Sequence, residues 1–134
     1  LAAQRATPRD LAAMRAVLDR ADPLPPDYEA SQVLNREFHL ALARAAQNAV
    51  FEDLVAPLLG LRTEGVSHRF TPTQCRRTWE AHERIYRAVA RGSLKAADQA
   101  IAHHFKVGPI ALDEIKVRSR LARVPSPRRK VSGK

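Results

Sequence analysis

A chain of 134 residues carries the material of one domain with a single core. Hydrophobic residues reach 45% but aromatics only 5%, a balance weighted to alanine and leucine that favours helices over strands. The single cysteine, Cys75, excludes an internal disulfide framework and fits a reducing cytoplasm. No run approaches the roughly 18 apolar residues of a membrane span, and no secretory leader opens the chain. It begins on Leu1 rather than methionine, so a fragment lacking its start is expected. The net charge of +9 resembles a nucleic-acid signal until it is located. From Lys116 onward there are eight Lys/Arg and no acid, which leaves about +1 for everything before. Residues 122–134, with two prolines and little to bury, read as a disordered basic tail, and residues 1–121 as the folded domain.

The elements follow in chain order. Thr7-Pro8-Arg9-Asp10 sets an N-cap before a proline, with an acid at the third helical position. The helix it opens runs to about residue 20, with Leu11, Met14 and Leu18 on one face. Asp22-Pro23-Leu24-Pro25-Pro26 is a loop by its prolines. A second helix spans about 28–46 and a third about 49–66, with Asn48 as its N-cap and Pro57 expected to kink it. Thr71-Pro72-Thr73-Gln74 repeats the cap logic and opens a fourth, ending near residue 91. Gly92 stops it, and Ser93 caps a fifth that continues with reduced regularity past Gly108-Pro109. The expectation is an all-α bundle with no strand.

At 3.6 residues per turn the histidines fall on inward faces. On the second helix Leu34, Phe38, Ala41 and Ala45 form the apolar stripe, and Asn35 and His39 are stacked one turn apart at its edge. On the fourth, Cys75, Trp79, His82, Tyr86 and Val89 form the stripe, with Ile85 flanking. On the fifth, Leu94, Ala97, Ile101 and His104 line up, with Phe105 adjacent. Three imidazoles from three helices point to one interior. Two explanations fit. A single inward histidine is most often hydrogen-bonded in a core. Three together, with an amide, suit a divalent ion, since neutral imidazole ligates zinc, nickel, copper and iron. No Glu-x-x-His pair occurs, so the paired motif of di-iron bundles is absent. His103 points off this face, His68 falls in a connection, and Trp79 and Tyr86 read as core. Arg62 continues the third helix's apolar side of Phe51, Val55, Leu58 and Leu59. It either snorkels at the helix end or faces a pocket, where its fork would suit a carboxylate.

The segments ATPRDLAAMRAVLDRAD, NREFHLALARAAQNAVFEDLV and WEAHERIYRAVARGSLKAADQAIAHHF, with the order and spacing of the three histidines, resemble the FCD domain. This is the C-terminal ligand-binding domain of the FadR subgroup of GntR transcription regulators. The resemblance implies an antiparallel helical bundle of five to six helices around a divalent metal, here zinc or nickel. It places Asn35, His39, His82 and His104 as the metal ligands, while Arg62, taken from its place on the third helix's stripe, is the expected effector-binding residue. The family usually carries an aspartate where this chain has Asn35, which makes a poorer ligand. The family's N-terminal winged helix-turn-helix is absent here. The resemblance further implies a cytoplasmic, non-enzymatic sensor that forms a homodimer. It would bind a small carboxylate and act on DNA through that missing domain. A metal-dependent enzyme and a plain helical interaction domain are the rivals. Against the first, Glu80 and Glu83 flank His82 but lie off its face. Neither metal binding nor stabilisation by carboxylates would be expected of the second.

Overall fold

The computed structural model describes residues 1–25, 27–61 and 71–107, and these form six helices. They are α1 (Ala2–Arg5), α2 (Pro8–Arg20), α3 (Tyr28–Ala45), α4 (Ala49–Leu61), α5 (Pro72–Ala90) and α6 (Leu94–Val107). The all-α expectation holds, with one addition. The single turn α1 has no periodicity for sequence to reveal, because four residues make too few repeats. The basic tail, His68, Arg62 and the continuation past Gly108 lie outside the described residues.

From α2 onward each helix start carries a side-chain cap, and α1 has none. The Asp10 amide donates to Thr7 Oγ1 at 3.3 Å while the Thr7 amide donates to Asp10 Oδ2 at 2.8 Å, closing a capping box on α2. Thr71 and Gln74 repeat this on α5, at 3.2 and 2.9 Å. Asp27, Asn48 and Ser93 accept from the Ala30, Phe51 and Ala96 amides and so cap α3, α4 and α6. At each of these five starts at least one otherwise unpaired amide is satisfied by a side chain. At the far end of α5 the chain reverses through Gly92, whose φ of +64° suits a residue without Cβ. The Gly92 amide donates to Val89 O at 2.9 Å and the Ser93 amide to Ala88 O at 3.1 Å, the two bonds of a Schellman motif.

The helix α5 is central, packing against α6, α2 and α1, while α3 packs against α2, α4 and α1. The shared core contains Met14, Val17, Leu18, Leu34, Phe38, Ile85 and Val89, with alanines 41, 45, 88 and 100. Alanines at so many contact positions let helix axes approach closely. The expected stripes on α3 and α5 are buried, with two amendments. Ile85 is buried at 1% exposure, whereas Tyr86 is only half-buried beneath the Arg15 guanidinium. On α6 the expected line holds at Ala97, Ile101 and His104 and fails at Leu94. Ala100 and His104 are buried, while Leu94 and Phe105 stand exposed. The helix α4 passes through Pro57 without interruption and leaves Val50, Phe51, Leu54 and Leu58 exposed.

Polar pairs fasten the bundle across its seams. Arg15 donates to Glu83 at 2.8 Å, joining α2 to α5, and Arg44 donates to Glu52 at 2.8 Å, joining α3 to α4. Arg20 pairs with Glu37 between α2 and α3.

Candidate metal centre

Three of the four expected ligands converge. His39 of α3, His82 of α5 and His104 of α6 each offer a ring nitrogen within 4.8 Å of the others. Their ring centroids are 5.1 Å apart for His39–His82, 5.1 Å for His39–His104 and 4.8 Å for His82–His104. His82 is fully buried, His104 is buried and His39 is half-buried. Helical spacing explains the convergence. His39 follows the buried Phe38 by one residue, His82 lies three after the buried Trp79, and His104 lies four after the buried Ala100.

Aromatic walls fix the middle imidazole. Phe38 stacks on His82 with centroids 4.4 Å apart and planes inclined by 21°, and Trp79 meets it edgewise at 4.9 Å. Both ring nitrogens of His82, and the Trp79 indole nitrogen, lie buried without a hydrogen-bond partner among the described residues. Leaving a buried polar group unmatched costs on the order of 1–3 kcal/mol, and an ion bound by one His82 nitrogen would offset part of that cost. Burial, first, and then the neighbouring His39 and His104 hold His82 well below the ordinary imidazole range. It is therefore neutral, the form that ligates metal.

The donor set fits a transition metal. Nitrogens held at about 2.1 Å around a tetrahedral ion sit about 3.4 Å apart, so modest side-chain rotations would close the triad. Among the described residues no carboxylate or thiolate joins it. Asn35 is half-buried one helical turn before His39, and Arg62 falls outside the described residues. His103 is half-buried, with Nε2 3.3 Å from an Arg84 guanidinium nitrogen.

What periodicity could not show is the surroundings of α5 beside the site. Glu83 accepts from Arg15 at 2.8 Å and from Arg87 at 2.9 Å. Burial raises its pKa, but these two donors outweigh it and hold the carboxyl below its usual value. The Arg15–Glu83 pair links residues 68 positions apart, which no local pattern reports. A cleft of about 390 Å³ lies on that side, lined by Arg15, Trp79, Glu80 and Arg87 among others. An apolar cleft of about 280 Å³ is lined by Leu42, Phe51, Ile85 and Leu94 among others. Neither is lined by the histidines, and the chemistry of neither rivals the triad's.

Residues 1–107 match the FCD domain. The chain belongs to that family, the ligand-binding domain of FadR-subgroup GntR regulators. It is also 33% identical over 110 residues to the HTH-type transcriptional regulator LutR of Bacillus subtilis (strain 168). That alignment takes in 78% of this chain and 50% of LutR, so the chain spans about half the length of this curated relative. No solved structure gives a significant match. No helix among the described residues is long and apolar enough to cross a membrane.

Proposed function

We propose that the chain is the effector-sensing part of a GntR-type transcription regulator. In this role it binds a divalent metal, zinc or nickel, through His39, His82 and His104 with weaker help from Asn35. The observation that carries the metal is the fully buried His82, with neither nitrogen matched, set within 4.8 Å of two further imidazole donors. A bound ion would supply Lewis acidity and a coordination position open to a small carboxylate. Arg62 would pair with that acid through its guanidinium fork. The rest of the role falls to the fold: three helices meet at one point, so a ligand there can bias their arrangement. In the whole regulator, that bias would reach a DNA-binding domain in a cytoplasmic homodimer. The non-enzymatic reading is supported by the acids nearest His82 in sequence. Glu83 is clamped by two arginines and Glu80 is exposed, so neither is poised as a general base.

Elemental analysis and thermal melting test this together. Protein purified without chelator is expected to hold about one divalent ion per chain. At least one of a panel of small mono-, di- and tricarboxylates should then raise Tm. A ligand at a hundred times its Kd adds about 2.7 kcal/mol, a shift on the order of 5–15 °C. His82→Ala should lose both metal and shift, whereas Arg62→Ala should keep the metal and lose most of the shift. A shift that survives metal removal undiminished would show that the acid binds somewhere other than the triad. Metal content well below one fifth of an equivalent after reconstitution (a threshold of about this size, given the pH linkage of metal binding) would end the metal assignment.

A further inference from the structure

The helix α4 turns its apolar side to water. Val50, Leu54 and Leu58 follow one another a turn apart with Phe51 beside them, and they stand 68%, 57%, 57% and 44% exposed. Asp53 is the one charged side chain on the exposed side. The other acid, Glu52, is half-buried and pairs with Arg44 of α3. A surface helix ordinarily shows the reverse arrangement, with its polar residues outward. No described side chain of α4 is buried, and the helix packs chiefly on α3. Such a pattern suits a helix covered on both sides, and within the described residues α3 covers only one.

We propose that the outer face of α4 is where a second copy of the chain docks, forming a two-fold dimer. The four apolar side chains leave on the order of 450 Å² in water, a size at which an exposed patch marks an interaction site. A two-fold axis sets the same patch against itself, so two copies withdraw about 900 Å² through these side chains alone. Ala49, Asp53 and Pro57, exposed at the rim, bring the total to about 1,000 Å² or more, the size that a specific interface needs. The face offers a charged partner only Asp53 to recognise, whereas an identical apolar surface needs no charge at all. The inference deepens the homodimer of the reading above by naming its surface, and it does not depend on the metal.

Sedimentation velocity of the full chain over a wide range of concentration tests this, and a monomer–dimer equilibrium is expected. Leu54→Glu sets a charge in the middle of the face and should weaken the dimer by on the order of a hundredfold or more. Its helical circular dichroism should stay as in the wild type, because Leu54 fills no core position. Val33→Glu, the same kind of change at an exposed valine of α3, should leave the dimer as it is. A chain that remains monomeric throughout overturns the proposal together with the homodimer. A dimer untouched by Leu54→Glu overturns the surface and leaves the homodimer standing. Equal weakening in both variants would mark a general effect of added acid and defeat the assignment to α4. Should Leu54→Glu not fold, hydrogen exchange of the wild type decides. The amides of α4 should exchange more slowly as concentration rises. Exchange on α4 that does not respond to concentration would show that no second copy covers this face.

Discussion

His82 is the residue on which the site turns, and its burial has a consequence for stability that needs no ligand. In the unfolded chain its imidazole titrates near pH 6.5, whereas in the fold burial and the adjacent His39 and His104 hold it well below that. As pH falls beneath 6.5 the unfolded state therefore takes up the proton first. Stability that is complete above that pH is lost progressively as acidity increases, by up to about 1.4 kcal/mol per pH unit. Urea denaturation of the metal-free protein at about pH 7.5 and 5.5 should show this loss, and His82→Leu should flatten it. A slope unchanged in that variant would mean that other groups carry the acid sensitivity. Metal held at the proposed site would act in the same direction, because ligation requires neutral imidazoles and acid would release the ion. That His82 faces inward was legible from the stripe of Cys75, Trp79 and Val89. That Phe38 stacks on it was not, since the meeting of α3 and α5 depends on how the two helices pack.

At the scale of the element, α5 is defined by punctuation at both ends. Thr71 with Gln74 opens it, and Gly92 closes it in the left-handed region. Thr71→Ala removes the acceptor of the Gln74 amide and is expected to cost about 1 kcal/mol. Gly92→Ala forces a Cβ into positive φ, at a cost of about 1–2 kcal/mol. The space itself is adequate, since the new Cβ would stand 3.4 Å from Ala3 O. The two sites are about 30 Å apart along the helix, so their costs should add. Thermal melting should register each as a drop of about 3–8 °C, and a double variant well short of the sum would show the helix ends to be coupled. These caps were readable because they are local. On α6 the expected line held at Ala97, Ile101 and His104 but failed at Leu94, for the opposite reason. Leu94 and Phe105 are apolar enough to suggest a core line, yet the small Ala100 is what fits against its neighbours.

For the whole molecule, charge and function separate along the chain. Eight of the basic residues lie from Lys116 onward, beyond the family match at 1–107. The chain alone is expected to show no sequence-specific DNA binding, only a weak, salt-dependent attraction. Truncation after Leu121 removes Arg123, Arg128, Arg129, Lys130 and Lys134, so that attraction should weaken and its dependence on salt should flatten. Electrophoretic mobility shifts at several salt concentrations would measure both. A specific footprint from this chain would contradict its assignment as the sensing half of a regulator.

By itself the sequence determined the helical class, the starts of α2 to α6 and the inward direction of three histidines. Each of these is written in spacing and capping chemistry that acts within a few residues. Tertiary structure alone decided that the three imidazoles approach within 4.8 Å, because that distance depends on how α3, α5 and α6 pack. It also decided that Glu83 is spoken for by Arg15 across 68 residues, and that no described carboxylate reaches the triad. The charge around a site is a property of everything that packs near it, and helical periodicity reports only the face a residue occupies.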